Sequence, residues 1–376
     1  MPKTAVVILN WNGMKYLPDC LGTLVKQDYP KNDCKFILVD NGSTDDSVKY
    51  CEDNFPEIKI IKNDKNDGFC KGNNIGMRYA LDNGYDYVVL LNQDTAVEQN
   101  WLSELVKVAE SDKRIGAVQS LMLQYLAHHP LTPSSERRGA CKTTGNVSLK
   151  NGDFIVNSEG NELHFLGFGF CKGNGKKFEI RNSKFEIPSI TYASCASALF
   201  RANVLRQTGL LDEEYFLYHE DTDLSFKVKM AGYKVVIAKQ SIMYHKYEFS
   251  RSIKKFYYME RNRYRILMTY YKWRTLLLIF PACLAMEIGM WLFAFKSGWA
   301  KEKLRAYGYI INPKNLADIL KKRRQIQKTR KISDREFTNS FVGKIMYQEI
   351  DNPLLRYVAN PIFNLYWFLV KNLIFW

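Results

Sequence analysis

From Thr4 to about Gln124, short β-branched runs alternate with longer amphipathic stretches, and this rhythm constrains the fold more than any other feature of the chain. It is the signature of strands joined by helical crossovers into a mostly parallel sheet. The spacing predicts strands over Ala5–Asn10, Phe36–Asp40, Ile58–Lys62, Tyr87–Asn92 and Ile115–Leu123. Helices are predicted near Met14–Lys26, Thr44–Asn54, Lys71–Asn83 and Trp101–Ser111. The runs FILVD and YVVLLN are apolar almost throughout, as strands buried on both faces must be. With 376 residues and 46% hydrophobic composition, the chain can bury a sizeable core unaided, which excludes a disordered or disulfide-stapled class. The fold class expected is α/β, a doubly wound, mostly parallel sheet.

Open sheets of this kind bind ligands beyond the carboxyl ends of their strands, and polar residues collect there. Strand one ends in Asn10-Trp11-Asn12, strand two in Asp40-Asn41-Gly42-Ser43 and strand four in Asn92-Gln93-Asp94. Asp40 can accept hydrogen bonds from a nucleobase or ribose, with Thr44 as N-cap of the next helix; turn and cap chemistry is the plainer alternative. The stretch Asp67-Gly68-Phe69-Cys70-Lys71-Gly72-Asn73-Asn74-Ile75-Gly76 punctuates a helix entry with glycine, so that free amides and Lys71 can face a diphosphate. It has neither the phosphate-loop ending nor the Gly-x-Gly-x-x-Gly fingerprint, which disfavours an NTPase or a dehydrogenase. Asp94 stands where a hard divalent cation can take a carboxylate while holding substrate phosphates, or where a carboxylate caps a helix starting near Glu98.

Residues 125–190 are rich in glycine and polar residues, with alternating pieces at Asp153–Asn157 and Phe178–Arg181 that suggest a small antiparallel ribbon. An apolar run at Tyr192–Phe200, a turn at Gly209 and a strand at Lys234–Ala238 follow. Between the last two, Phe216-Leu217-Tyr218-His219-Glu220-Asp221-Thr222-Asp223-Leu224 sets three carboxylates in four positions among aromatics, just before a helix. Burial and the helix dipole drive the pKa values of such acids apart, and one can then act as general base toward a hydroxyl. His245, after the strand, can complete a metal or diphosphate site or hydrogen-bond within the fold.

The C-terminal third changes character. Lys plus Arg number 54 against 39 Asp plus Glu, a net charge of +15 that calls for an anionic partner. The excess lies after Arg251 and away from the sheet edge, so a membrane surface is expected as partner and a nucleic acid is not. Thr275–Phe295 is nearly unbroken apolar sequence, long enough to cross a bilayer. Pro281, Glu287 and the following run KKRRQIQKTRK make an in-plane or re-entrant helix the rival. Arg261, Arg263 and Arg265, interleaved with Tyr257, Tyr258 and Tyr264, can contact a phosphate or, as the favoured reading for most of them, serve as juxtamembrane charge near anionic lipid. Tyr366, Trp367, Phe368, Phe375 and Trp376 make the tail Pro353–Trp376 read as an interfacial aromatic anchor. Eight scattered cysteines without a Cys-x-x-Cys pair suit a reducing compartment, and no secretion signal is visible. The expected organisation is a first domain over 1–250, a basic and aromatic region over 251–376, and residence at the cytoplasmic face of a membrane.

Taken in order, VVILNWNG, ILVDNGSTDDS, NDGFCKGNNIG, VVLLNQDTAV, SCASALFR, GLLDEEYFLYHEDTDLSFK and the closing His245 resemble the inverting nucleotide-sugar glycosyltransferases of family two. The likeness runs from roughly Ala5 to Arg265 and is strongest to their rhamnosyltransferase-like branch. It implies the GT-A fold, with a donor half about 1–124 and an acceptor half about 125–250. By this resemblance Asp40 contacts the donor base, and Asp94 is the surviving carboxylate of a metal-binding motif whose first acidic position is Asn92 here. Asp221 becomes the base and Glu220 its neighbour. The nucleotide-diphosphate sugar would be lined by Asn10, Asn12, Asp40, Asn41, Asp67, Gly68, Lys71, Asn73, Asn74, Asn92 and Asp94, with Asp94 and His245 holding Mg²⁺ or Mn²⁺. Cys195-Ala196 stand where relatives often carry Gly-Ala, so the acceptor-side wall is shaped differently. The implied reaction is a single displacement, with inversion, onto a glycan or lipid-linked acceptor in cell-surface polysaccharide or glycoconjugate synthesis. Two rivals predict otherwise. A nucleotidyltransferase would carry a Gly-rich signature with Arg and Lys after strand one, which Asn10-Trp11-Asn12-Gly13 lacks. A non-catalytic membrane- or anion-binding protein would tolerate loss of Asp94 and Asp221.

Overall fold

A computed structural model describes residues 1–125, 154–178, 187–246, 253–346 and 353–376. Strands β1 (Thr4–Asn10), β2 (Cys34–Asp40), β3 (Lys59–Lys62) and β4 (Tyr87–Asn92) pair in parallel in the order β3-β2-β1-β4. Their crossovers are α1 (Leu17–Leu24), α2 (Ser47–Asn54) and α3 (Gly68–Asp82). The register sets Asn10 opposite Asp40 and Leu9 opposite Asn92, so the three polar strand ends share one edge. Helix α3 lies close on the sheet because Gly76 has no side chain: a Cβ there would come within 2.4 Å of the Val7 side chain.

After β5 (Thr95–Val97), α4 (Trp101–Ser111) and β6 (Ile115–Gln124) come three short strands, β7 (Val156–Ser158), β8 (Asn161–Leu163) and β9 (Gly169–Cys171). Strand β10 (Ser197–Arg201) then enters antiparallel between β4 and β6. Helices α5 (Ala202–Thr208) and α6 (Glu220–Met230) lead to β11 (Lys234–His245), parallel to β6 and antiparallel to β5 at its end.

Several boundaries differ from the sequence reading. Helix α2 starts at Ser47 with Asp46 as N-cap, and the Thr44 amide donates instead to Asn12 Oδ1 at 2.8 Å. Helix α3 begins at Gly68, three residues earlier than predicted. The acidic triplet lies in the first turn of α6 rather than before it. Strand β11 continues past Ala238 to His245 through a register irregularity before Ile242. The ribbon pairs β8 with β9, while Phe178 bonds back to Phe154; Asp153 and residues 179–181 of the predicted pieces lie outside the described residues.

The C-terminal helices are α7 (Lys255–Tyr270), α8 (Trp273–Lys296), α9 (Ala300–Ile311), α10 (Pro313–Thr329), α11 (Asp334–Thr338) and α12 (Asn360–Lys371). The boundary expected at 250 falls outside the described residues, and packing runs across it. One apolar core extends from Val7, Val39 and Val88 in the sheet through Phe226 to Tyr270, Phe337 and Trp367.

Two expectations for this third are corrected. Arg261, Arg263 and Arg265 are not juxtamembrane charge: all three are buried and engaged within the protein. Arg261 donates to the Glu214 and Tyr215 carbonyls, Arg263 to Glu260 and Glu287, and Arg265 to Asp212 at 3.1 Å. A guanidinium is buried at tolerable cost only with acceptors of this kind close at hand. The aromatic tail divides: Trp367 is buried, stacked on Phe165 with centroids 4.8 Å apart, while Phe368 and Phe375 face outward.

Candidate active site

At the strand ends, Asn10 organises the β1/β2 crevice. Its Nδ2 donates to Asp40 Oδ1 at 2.8 Å, Ser47 Oγ at 2.9 Å and Ser43 Oγ at 3.1 Å. Asp40 Oδ2 accepts from the Ser43 amide at 3.1 Å, so the carboxylate is aimed by the fold with acceptor capacity left for a ligand. Asn12, at φ 47°, ties two loops together: its Oδ1 accepts from the Thr44 amide at 2.8 Å and its backbone amide donates to Ser43 Oγ at 2.9 Å. Asn41 is buried and fully used on the next loop, donating to Asn66 and Gly68 and accepting from Asn63 and the Asp67 amide.

The entrance of α3 departs from expectation. Its first amides are not free: Gly68 N–H donates to Asn66 Oδ1 at 2.9 Å and Phe69 N–H to the Phe216 carbonyl at 3.2 Å. Lys71 pairs with Asp67 at 2.9 Å. Asn73 bonds the Phe69 carbonyl one turn back. Asn74 bonds Leu211 through both amide atoms and Glu213 through Nδ2, pinning the acidic loop to α3. These residues build the wall between the crevice and the acids more than they offer it donors.

The acids follow a strained loop. Phe216, Tyr218 and His219 all have φ between 60° and 66°, a region costly for residues with a Cβ. Helix α7 holds the loop: Asn262 Nδ2 reaches the carbonyls of Tyr215, Leu217 and Tyr218 at 3.1, 2.9 and 2.7 Å. Gly68, at φ 83°, lets this loop close on α3, since a Cβ there would meet the Phe216 ring at 2.5 Å. Glu220 and Asp221 then open α6. Burial, and for Glu220 the neighbouring Asp221 charge, raise both carboxyls above the usual range; hydrogen bonds from the Thr222 amide and hydroxyl to Asp221 Oδ1 moderate its shift. Glu220 Oε2 is buried without a hydrogen-bond partner among the described residues, which favours its protonated form. Burial lowers His219 to about 4, leaving it neutral.

The acids adjoin the sheet edge. Burial and then the charges of Asp221 and Glu220 push up the Cys195 thiol and the Tyr192 hydroxyl. Cys195 precedes β10, and the adjacent Ala196 carbonyl accepts the Asn92 amide at 3.0 Å. Two residues on, Asp94 Oδ1 lies 3.4 Å from His245 Nε2, whose Nδ1 contacts Asn157 Oδ1 at 3.2 Å. Burial would raise Asp94, but the hydrogen bond and charge of His245 outweigh it and hold the carboxyl below its usual range. No cluster of three or more His, Cys, Asp or Glu among the described residues could hold a metal alone. A carboxylate beside an imidazole nevertheless fits an ion that takes its other ligands from water and substrate phosphates.

The structure thus gathers Asn10, Asp40, Asn92, Asp94, His245, Glu220 and Asp221 around one sheet edge. It gives Asn12, Asn41, Asn73 and Asn74 scaffolding bonds instead. The sequence reading missed Asn262 and Gln93, the latter bonding Trp11 in both directions across the β1 and β4 ends. The flag for Asn262 was an Asn between two arginines on a helix rich in tyrosine and arginine.

A family model described as glycosyl transferase family 2 matches residues 5–209. The chain is 30% identical over 114 residues to the glycosyltransferase GlyG of Streptococcus pneumoniae, covering 29% of this chain and 36% of that one. It is 25% identical over 222 residues to an N-acetylglucosaminyl-diphospho-decaprenol L-rhamnosyltransferase of Mycobacterium tuberculosis, covering 56% and 66%. The chain spans less than two thirds of the length of these curated relatives. Among solved structures, GalNAc-T7 with UDP, GalNAc and Mn²⁺ superposes with a TM-score of 0.53 at 16% identity, over 72% of this chain and 48% of that one, a likeness of fold.

Proposed function

The chain belongs to glycosyl transferase family 2 and has the GT-A fold, and from that premise we propose that it moves a sugar, with inversion, from a nucleotide-diphosphate donor to a hydroxyl of a glycan or lipid-linked acceptor. The observation that carries this reading is the Glu220–Asp221 pair at the start of α6, Glu220 buried and Asp221 partly exposed, next to the strand ends that aim Asp40 and Asp94. With the proton retained on Glu220, the pair's negative charge rests on Asp221. Asp221 then accepts the proton of the acceptor hydroxyl as its oxygen attacks the anomeric carbon. Asp40 orients the nucleoside, and the aromatic loop 216–218 shields the reacting groups from water. Asp94 and His245 would hold a divalent cation, whose charge offsets that of the departing diphosphate. The acceptor is presented at the cytoplasmic face of a membrane, where the basic C-terminal third meets anionic lipid.

The test is donor binding and transfer across a panel of nucleotide sugars with Mg²⁺ or Mn²⁺. One donor is expected to bind metal-dependently, Asp94→Ala to lose that dependence and weaken binding, and Asp221→Asn to bind normally with transfer reduced at least a hundredfold. Wild-type transfer rates in both variants would remove the reading.

A further inference from the structure

Helix α8 turns Leu277, Phe280, Leu284, Ile288, Leu292 and Phe295 outward, a stripe at helical spacing in which each residue is at least 56% exposed. Helix α12 lies against it, the Tyr366 hydroxyl donating to the Leu278 carbonyl, and turns out Ile362, Leu365, Phe368 and Leu369, with Leu373 exposed just beyond its end. An apolar surface this continuous marks an interaction site.

By length and composition α8 could cross a bilayer, but its two ends return to the same body. Helix α7 leads into it, α9 follows it, and those two pack together: Lys303 of α9 bonds Glu260 of α7 at 2.7 Å. Arg263 and Lys303 both reach Glu287, in the middle of α8, at 2.6 and 2.7 Å. A spanning α8 would separate α7 from α9 and carry this ionic cluster into hydrocarbon.

We propose that α8 and α12 form an in-plane docking face for an anionic bilayer, their apolar stripes sunk to the boundary between headgroups and acyl chains. Charge selects this occupant over a second copy of the chain. From Lys272 onward there are 18 Lys and Arg against 7 Asp and Glu. A cleft of about 580 Å³ at the start of α8 is lined by Lys272, Arg274, Arg323 and Arg324, with Trp273 and Trp376 beside them. Cations beside half-exposed tryptophan at the rim of an apolar face suit lipid phosphates and the interfacial zone. Two copies facing each other would instead oppose like charges. This placement deepens the membrane localisation proposed above and does not depend on sugar transfer.

The test uses the full chain and sealed vesicles of phosphatidylcholine with or without phosphatidylglycerol. Flotation is expected with the anionic vesicles and to be several-fold lower without phosphatidylglycerol. The double variant Leu284→Glu/Leu292→Glu, altering only exposed positions, should keep its circular dichroism and Tm and lose flotation. Arg274→Gln and Arg324→Gln should each weaken it about fivefold. A site-specific protease sequence placed between Ser297 and Gly298 should be cut from outside in inverted membrane vesicles without detergent. Protection there until detergent is added means that α8 spans and overturns the proposal. Absence of flotation overturns it as well, and so does a dimer in sedimentation that the double variant abolishes. Donor binding by the same variants tests the transferase reading separately.

Discussion

Burial raises the carboxyls of Glu220 and the partly exposed Asp221 above the usual range, and for Glu220 the neighbouring Asp221 charge adds to the shift. The base must be ionised to act, so transfer should rise with pH along a limb displaced above the ordinary carboxylate pKa of about 4. A pH profile of kcat for the wild type checks this, and a limb at the ordinary value would show that the pair is not the base. Stability moves the other way. A carboxyl whose pKa is higher folded than unfolded makes the protein lose stability as pH rises from its unfolded value through its folded one. Glu220→Gln removes that loss, so its Tm should exceed the wild type's by a margin that widens with pH above about 4.5 and vanishes below. Thermal scans in a buffer series measure the margin directly.

The next scale is the loop and the helix that clamps it. Three positive-φ residues among the four before α6 are held in place as Asn262 donates to three carbonyls of the loop, sharing that of Tyr215 with Arg261. Asn262→Ala should cost about 1–3 kcal/mol of stability. As a positioning residue it should also lower kcat while leaving donor KM near the wild-type value, and full kcat in the variant would show that the loop holds itself. The sheet contributes through register. Because β1, β2 and β4 are parallel and in step, their polar ends arrive at one edge, and the antiparallel β10 carries Cys195-Ala196 to the same place. Periodicity made these parallel strands readable, with Tyr87–Asn92 found to the residue. Nothing local marked β11 past Ala238, whose pairing with β5 brings His245 to Asp94.

At the scale of the molecule, the C-terminal helices belong to the same folded body as the sheet. Tyr270 closes on α6 by bonding Asp223 at 2.6 Å, and Phe337 packs edge-on to Phe226 with centroids 4.7 Å apart. A chain ended at Lys246 should therefore lack a cooperative thermal transition and aggregate, rather than survive as a soluble enzyme; a sharp transition near the wild-type Tm would refute this. By itself the sequence determined the parallel sheet, the polar strand ends and the acidic pair, because burial on two faces and strand-to-turn chemistry are written in neighbouring residues. Only the tertiary structure decided which polar groups remain for a ligand. Asn41, Asn74 and the first amides of α3 are consumed by partners close in space but mostly distant in sequence. Arg263, Lys303 and Glu287 read singly as charges seeking water or lipid, yet together they form a buried cluster. A charge or an amide shows its chemistry in sequence, but its availability depends on whether the fold has already supplied a partner.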